Sequence, residues 1–129
     1  MYKVMWLMKR KAGWSHAAFR EHFERSHAEL AKKHCGHLFT EYRRNYFDRV
    51  WTGGDPRMEG SGYGPREFGW DLLSEWHMKD EADFHEILRI MDLPDIKQEF
   101  WEDEDRFMDR SATVMIPAAV SNTGTTPSG

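Results

Sequence analysis

Residues 19–31 read Phe-Arg-Glu-His-Phe-Glu-Arg-Ser-His-Ala-Glu-Leu-Ala, a run that predicts an amphipathic helix. At about 100° per residue, Phe19, Phe23 and Leu30 fall on one side of this helix, with Ser26 near the centre of the stripe. His27 lies at the edge of that apolar stripe. Histidine is the side chain that titrates near neutrality, so a position beside a cavity would suit it to proton transfer.

The segments on either side of this helix have strand patterns. Residues 2–9 are short and mostly apolar, as in a strand buried on both faces. Ser15 is placed to cap the helix, which we expect to run to about His34 and to end at Gly36. Residues 38–47 alternate in character and predict the second strand.

The middle of the chain changes from turn-forming residues to another strand. Residues 52–65 are rich in glycine and proline and predict a long surface loop, a candidate lid. Residues 70–78 then alternate. One row contains Trp70, Leu72, Ser74, Trp76 and Met78, and the other contains Asp71, Leu73, Glu75 and His77.

Two further helices and a last strand follow. Asp80 begins the first helix, with Asp83 in position for a capping contact. Pro94 begins the next, so the second helical unit is split. Residues 113–116 predict the last strand. The expected inner residues are Phe84, Ile87, Leu88, Met91, Ile96, Phe100 and Phe107, and the acidic residues interpreted as a solvated flank are Glu99, Glu102, Asp103, Glu104 and Asp105.

Two strand-helix-strand units in this order predict an α+β fold of the ferredoxin-like type, β-α-β-β-α-β, with its second helix split. We expect a single domain over residues 1–118 and a flexible tail over residues 119–129. Helices would cover only one face of the sheet. A second copy of the chain is the simplest cover for apolar residues such as Leu73 on the other face, which would give a dimeric α+β barrel.

Length and composition restrict the possible partners and location. The chain has 129 residues and a formal net charge of -4, so nucleic acid is not an expected partner. No apolar run approaches the ~20 residues that span a bilayer, and the amino terminus does not resemble a signal peptide. With one cysteine, Cys35, we expect a soluble, cytoplasmic protein. The aromatic content of 14% favours a ligand cavity or a subunit interface.

Residues 3–15, Lys-Val-Met-Trp-Leu-Met-Lys-Arg-Lys-Ala-Gly-Trp-Ser, followed by residues 19–31, resemble the opening of the EthD family of the dimeric α+β barrel superfamily. The Phe-Arg pair, the next aromatic residue and the His-Ala-x-Leu-Ala spacing carry the resemblance. Weaker similarity continues through residues 42–45, 71–76 and 107–111. Glu29 stands where family members usually carry Pro, and His77 stands where an aromatic residue is common.

The resemblance implies a homodimer with a hydrophobic cavity in each protomer. Relatives include polyketide cyclases, decarboxylases, dehydratases and cofactor-free oxygenases. Since His27 matches the family's histidine, the resemblance favours it as a general acid or base. From residue type alone, a half-buried structural histidine is the competing interpretation.

Other side chains are candidates for supporting roles. Asp71, Glu75 and His77 recur at period two, so they would share a strand face and could orient His27 or polarise a substrate. The alternative is a water-exposed edge or interface. Four aromatic residues are candidates for substrate binding: Trp6, Tyr42, Tyr46 and Trp76. The two tyrosines could donate to a developing oxyanion, although strand tyrosines more often serve packing.

Metal and cofactor sites are not expected. His27 and His34 would lie about 10 Å apart along a helix axis, and His16 and His27 about 16 Å apart, which is too far for shared ligation. Cys35 has no motif partner and is interpreted as structural. The glycines at 60, 62 and 64 lack the residues that complete a phosphate-binding loop.

The sequence therefore favours a cofactor-independent lyase or cyclase that acts on an aromatic or polyketide-like carbonyl compound by general acid-base catalysis. The reaction would be a cyclisation, dehydration or decarboxylation. Two alternatives stay open. One is a cofactor-free or haem-assisted monooxygenase of the same superfamily, and the other is a non-enzymatic, small-ligand-binding accessory protein of a degradation pathway.

Overall fold

Four antiparallel strands form the main sheet of the computed structural model, which describes residues 1–53, 64–122 and 124. The strands of the chain are β1 (Tyr2–Met8), β2 (Glu41–Tyr46), β3 (Arg49–Thr52), β4 (Gly64–Glu67), β5 (Leu72–Met78) and β6 (Val114–Ala119). The main sheet has the order β2-β5-β1-β6. With helices between β1 and β2 and between β5 and β6, this is the predicted ferredoxin-like arrangement.

The helices begin where the sequence places caps. They are α1 (His16–His22), a π-helical turn (Phe23–His27), α2 (Ala28–Cys35), α3 (Glu81–Met91) and α4 (Pro94–Phe107). The Ser15 hydroxyl accepts a hydrogen bond from the backbone N–H of Ala18 at 3.1 Å, and the Asp80 carboxylate accepts from Asp83 at 3.1 Å. Pro94 occupies the start of α4. These contacts confirm both predicted caps and the split helix.

The structure corrects the region between β2 and β5. Strand β2 is shorter than predicted, because residues 36–38 form a 3₁₀ turn before it. Both ends of the predicted loop are strands instead, since β3 and β4 pair as an antiparallel ladder from Arg49 opposite Glu67 to Thr52 opposite Gly64. The rest of that expected lid, residues 54–63, lies outside the described residues.

Strand alternation divides the main sheet into an inner face, against which the helices pack, and an outer face. Inner residues on the central strands are Val4, Trp6, Met8, Leu72, Ser74, Trp76 and Met78. Outer residues on the same strands are Lys3, Met5, Leu7, Leu73, Glu75 and His77. The pairing register therefore decides which side chains reach the helices.

Two apolar clusters fill the space between the inner face and the helices. The first includes Val4, Ala31, Trp76, Ile87 and Phe100, and the second includes Met8, Phe19, Phe23, Leu72 and Phe107. Trp6 and Tyr42 pack against both clusters. On α3, Ile90 is buried whereas Leu88 is exposed. The inner face of α3 therefore includes Ile90, which was not predicted, and excludes Leu88, which was. Within the described residues, no helix has the length and apolar character needed to cross a bilayer.

Candidate acid-base site

Asp103 is the buried carboxylate at the centre of the candidate site. It is 1% exposed, although the sequence places it in a run of acidic residues. On α4 it follows Phe100 by three residues and precedes Phe107 by four, so it lies on the apolar side of the helix. The interpretation of Asp103 as part of a solvated flank is therefore wrong. The spacing of Asp103 from Phe100 and Phe107, three and four residues, is the sequence feature that could have predicted its burial.

Three side chains from α1 and the π-helical turn donate to this carboxylate. His27 Nδ1 lies 3.1 Å from Oδ2, His22 Nε2 lies 2.9 Å from Oδ1, and the Ser26 hydroxyl donates to Oδ1 at 2.7 Å. Arg106 Nη1 lies 3.5 Å from Oδ1. A buried carboxylate needs such partners, because burial of an unpaired charge is costly.

The π-helical turn explains how two histidines reach one carboxylate. Its backbone closes with a hydrogen bond from the N–H of Ala28 to the carbonyl of Phe23, a span of five residues. In a regular α-helix, His22 and His27 would point about 140° apart, since each residue turns about 100°. The wider turn brings residues five apart onto the same side. Such turns are rare and are frequently found at functional sites.

The protonation pattern of the pair follows from the carboxylate. Burial alone would raise the pKa of Asp103, but hydrogen bonds from His27, Ser26 and His22 outweigh it and hold that pKa well below its usual range. Since the ionised carboxylate only accepts hydrogen bonds, Nδ1 of His27 carries the hydrogen. In the neutral imidazole, Nε2 then has the free lone pair. The geometry suits His27 to accept a proton at Nε2.

Aromatic rings enclose the His27 imidazole. The ring centroids of Phe23, Phe100 and Phe107 lie 5.0, 5.6 and 5.9 Å from that of His27. His27 is 4% exposed. Phe23 and Phe107 belong to the cluster against which Trp6 and Tyr42 pack. His27 and the inner face of the sheet therefore border the same buried layer.

A cavity of about 920 Å³ lies on the α3–α4 side of His27. Phe100 forms part of its wall and contacts the imidazole edge to face, at an interplanar angle of 71°. Glu104 also lines the cavity. Burial raises the pKa of Glu104, although the charges of His27 and Arg110 act in the opposite direction. Other lining residues include Met91, Lys97, Trp101 and Arg110, whose guanidinium stacks over the Trp101 ring.

Three buried polar atoms on the inner face make no hydrogen bond within the described residues. They are Trp6 Nε1, Ser74 Oγ and Trp76 Nε1. Trp6 and Ser74 are direct cross-strand partners, and the rings of Trp6 and Trp76 lie 5.3 Å apart. Tyr42 lies opposite Trp76 on β2, and burial raises the pKa of its phenol to about 12, although the Arg44 charge and contacts with Trp76 and Ser74 act to lower it. These groups form a patch of hydrogen-bond donors inside the protein. Trp6, Tyr42 and Trp76 were predicted as binding residues, whereas Ser74 was not.

Comparison with known proteins assigns the family. A sequence model of the EthD domain matches residues 11–111. The chain belongs to the EthD family. No curated protein matches this EthD chain.

Solved structures with a similar fold come from several organisms. An ethyl tert-butyl ether D (EthD) family protein from Bacillus halodurans superposes with a TM-score of 0.59 at 19% identity, over 94% of this chain and 99% of that one. The protein At3g17210 of Arabidopsis thaliana has a TM-score of 0.59 at 15% identity, over 95% of this chain and 97% of that one. At such identities the similarity establishes the fold.

The structure of this EthD-family chain separates the three polar residues that the sequence grouped with His27. Asp71 precedes β5, and its carboxylate lies 2.9 Å from His16 Nδ1. Glu75 and His77 lie on the outer face, with His77 Nε2 at 3.3 Å from Glu75 Oε1. The expectation that these residues orient His27 is wrong, because strand alternation points Glu75 and His77 away from the helices.

The outer-face pair belongs to a local polar network. Lys3 donates to Glu75 Oε1 at 3.2 Å, and Asn45 donates to Glu75 Oε2 at 2.9 Å. Burial acts to raise the pKa of Glu75, but the hydrogen bonds from Asn45 and Lys3 and the Lys3 charge lower it overall. The ring of His77 is largely buried, and its Nδ1 has no hydrogen bond among the described residues.

Tyr46, the fourth predicted substrate-binding residue, is bound to a helix. Its hydroxyl donates to Glu24 at 2.6 Å, and Arg44 donates to both oxygens of the same carboxylate at 2.8 Å. The Arg44 hydrogen bonds lower the pKa of Glu24 to about 2 against the effect of burial. Burial and the neighbouring Glu24 carboxylate raise the pKa of Tyr46. Its hydroxyl already has a partner, unlike the donors around Trp6.

One further histidine and the cysteine have structural environments. His34 Nε2 lies 2.9 Å from Glu99, and Cys35 is fully buried, which raises the pKa of its thiol to about 11. Among the residues that the structure describes, no group of three or more His, Cys, Asp or Glu side chains is arranged to hold a metal ion.

Proposed function

We propose that this EthD-family protein is a cofactor-independent enzyme, a lyase or cyclase, that acts on an aromatic or polyketide-like carbonyl compound. His27 is its proton acceptor and donor, and Asp103 is the residue that positions it. The observation that carries the proposal is the 3.1 Å contact between His27 Nδ1 and the buried Asp103 carboxylate. A fixed tautomer next to an ionised carboxylate is the arrangement used in general-base catalysis.

The proposed reaction begins with removal of a proton from carbon next to a carbonyl group. Nε2 of His27 accepts that proton, and the resulting imidazolium is stabilised by Asp103. The enolate can then cyclise or lose a leaving group. In a decarboxylation the enolate forms instead as the C–C bond to CO₂ breaks, and protonated His27 donates the proton to carbon. His27 returns the proton in the last step. Each of these reactions needs a base that can be reprotonated, and none needs a redox cofactor.

Substrate recognition is attributed to the inner-face donors. Negative charge develops on the carbonyl oxygen as the proton leaves, and preorganised N–H and O–H donors stabilise it. Trp6 Nε1, Ser74 Oγ and Trp76 Nε1 are buried donors without a close hydrogen-bond partner among the described residues, and the Tyr42 phenol lies beside Ser74 and Trp76. Their indole rings offer flat apolar surfaces, which favour a planar, aromatic substrate.

A homodimer is part of the proposal. The outer face carries apolar side chains from three neighbouring strands: Leu7, Leu73, Met5, Val114 and Ile116. Because no helix in the described part of the chain packs on this face, a second sheet would bury them and form a barrel. Leu73→Glu is expected to shift the protein to a monomer in sedimentation equilibrium, whereas Val50→Glu, outside the main sheet, leaves the mass unchanged. An unaltered dimer in the Leu73 variant contradicts this assignment.

The activity test uses proton exchange, which does not require the natural substrate. Phenyl-substituted β-diketones are incubated with the protein in D₂O, and loss of the proton between the carbonyls is followed by NMR. The wild type is expected to accelerate exchange. His27→Gln is expected to reduce that acceleration by roughly 10²–10⁴-fold, the usual contribution of a positioned base.

Two variants separate the mechanism from folding. Asp103→Asn is expected to lower exchange by about tenfold or more, because an amide also permits the other tautomer of His27. His85→Gln, at a largely exposed site where Glu81 is the ion-pair partner, is the matched histidine control and keeps full activity. Circular dichroism verifies that each variant is folded. Undiminished exchange in folded His27→Gln refutes the proposal.

A binding protein without catalysis is the second candidate. The observation in its favour is that Asp103 already accepts from His22, Ser26 and His27, as in a structural network. In that case the wild type binds the diketone probes without accelerating exchange, and His27→Ala leaves their affinity unchanged. Calorimetric titration beside the exchange assay distinguishes the two candidates.

A further inference from the structure

Asp71 and His16 form a second Asp–His pair, away from His27. The His16 Nδ1 atom lies 2.9 Å from Asp71 Oδ1, and the backbone N–H of Arg10 donates to Asp71 Oδ2 at 2.8 Å. The Asp71 side chain is buried, whereas that of His16 is 46% exposed. With the Asp71 carboxylate at ion-pair distance from Nδ1, Nε2 of His16 is the nitrogen that lies away from it and is left for a ligand.

The pair lies in a surface cleft. Two adjoining hollows of about 350 and 360 Å³ share His16, Asp48 and Asp71 as lining residues. Phe47 lines one hollow and Phe68 lines the other, with their ring centroids 5.5 Å apart. Each volume is near the lower end of the range found for ligand pockets. A hollow of this size suits a single substituted aromatic ring.

Positive charge surrounds the exposed nitrogen. Arg20 lines the first hollow and stacks over the ring of Tyr46 at 4.8 Å, and Lys9 and Arg10 line the second. The lining carboxylates are Asp48 and Asp71, of which Asp71 pairs with Arg10. A negative charge that forms beside His16 would therefore have Arg20 and Lys9 as the cations of the lining that are not paired with Asp71.

We propose that this cleft is a second ligand site, which binds a small phenol and accepts its hydroxyl proton at Nε2 of His16. The aromatic ring packs against Phe47 and Phe68. The O–H bond breaks, the proton moves to Nε2, and both electrons of the bond stay on oxygen. The phenolate is then balanced by the imidazolium, which Asp71 stabilises, and by Arg20. This site shares no titratable residue with the His27–Asp103 pair, so it stands independently of the proposed function.

The test uses para-nitrophenol, whose phenolate absorbs visible light. At a fixed pH near neutrality, binding to the wild type is expected to be saturable and to increase the phenolate absorbance. Para-nitroanisole, which has no hydroxyl proton, is expected to bind with an affinity lower by about tenfold or more. NMR of the imidazole nitrogens is expected to show protonation of His16 Nε2 on binding, a change that a purely structural pair would not undergo.

Variants assign the signal to the cleft. His16→Gln is expected to weaken binding by about tenfold or more and to abolish the phenolate signal, and Asp71→Asn to reduce that signal in a folded protein. His27→Gln and His85→Gln are expected to bind as the wild type does. The proposal is overturned if binding is not saturable, if His16→Gln binds equally well, if the anisole binds as tightly as the phenol, or if only His27→Gln removes the signal.

Discussion

The chain contains two Asp–His pairs with similar separations and different surroundings; only the His27–Asp103 pair is aligned as a hydrogen bond. His27 and Asp103 lie 3.1 Å apart, and His16 and Asp71 lie 2.9 Å apart, each through Nδ1 of the histidine. The imidazole of the first pair is enclosed by three phenylalanine rings, whereas that of the second borders an open cleft. A short contact alone therefore does not define a role for the pair.

The number of donors on each carboxylate separates the two regions further. Asp103 accepts from three side chains of the helical segment that ends at His27, so its loss would leave one buried donor and two partly buried donors unpaired. Asp71 accepts a hydrogen bond from the backbone N–H of Arg10, and the partly exposed ring of His16 lies beside it at ion-pair distance, where water can replace that contact. The buried pair is expected to support folding as well as chemistry, and the open pair mainly ligand contact.

The largest expected effect is on stability. Asp103→Ala should lower the free energy of unfolding by about 3–5 kcal/mol, as does breaking other buried charged networks, and Asp71→Ala by about 1–3 kcal/mol. Urea titrations followed by circular dichroism measure both. Asp105→Ala, at an exposed position on the same helix, is the control and should change little. Equal losses for the two carboxylates would remove the distinction between the pairs.

Acid should weaken the buried pair through Asp103. Because folding lowers the pKa of Asp103, its ionised form stabilises the folded state above its unfolded pKa, roughly 4. That contribution is lost as the pH falls below this value. The urea midpoint of the wild type should drop on acidification, and Asp103→Asn should show a shallower drop. Some dependence remains in the variant, since the pKa of Glu24 is also lowered, to about 2. An unchanged slope contradicts the assignment of Asp103 as an ionised core residue.

The two imidazoles should differ in chemical reactivity. Both present Nε2 as the free nitrogen, so access is the main difference for an acylating reagent such as diethyl pyrocarbonate. We expect His16 to react faster than His27 by about tenfold or more. A tenfold ratio corresponds to a difference of about 1.4 kcal/mol in the free energy needed to expose Nε2 to the reagent. Peptide mass spectrometry over time measures both rates, with exposed His85 as the reference. Similar rates would indicate that the buried layer opens readily.

The smallest effect is expected at the boundary of the two regions. Tyr46 lines the His16 cleft, and its ring packs edge to face on Phe23, beside His27. Tyr46→Phe removes the hydroxyl bond to Glu24 and should cost about 1–2 kcal/mol without changing the order of histidine reactivity. Tyr2→Phe is the control, since that hydroxyl has no hydrogen bond among the described residues. A reversal of the order would show that the two regions are coupled.

Much of the fold was predictable because its signals are local. Ser15, Asp80 and Pro94 mark helix starts through their own backbone chemistry, and each is found in that position. The alternation over residues 70–78 predicted both rows of β5 correctly. The strands β3 and β4 were missed because glycine and proline in this region obscure two short pairing segments.

The candidate site was only half predictable. His27 was found from its place beside the apolar stripe and from the family motif, but its partner lies 76 residues away in sequence. Asp103 was obscured by four other acidic residues nearby, although its spacing from Phe100 and Phe107 follows the core side of α4. The grouping of Asp71, Glu75 and His77 with His27 failed because period two defines a shared side of a strand but not which side faces the helices.

The sequence by itself determined the order of strands and helices, the family, and the histidine at the edge of the apolar stripe, because these depend on spacing and on local backbone preferences. The tertiary structure decided which carboxylate each histidine meets. A π-helical turn rotates His27 onto Asp103, and the register of β1 and β5 sends Glu75 to the opposite face. The register joins strands that are far apart in the chain, and the π-helical turn meets its partner carboxylate only through the packing of α4, so no single stretch of sequence specifies either outcome.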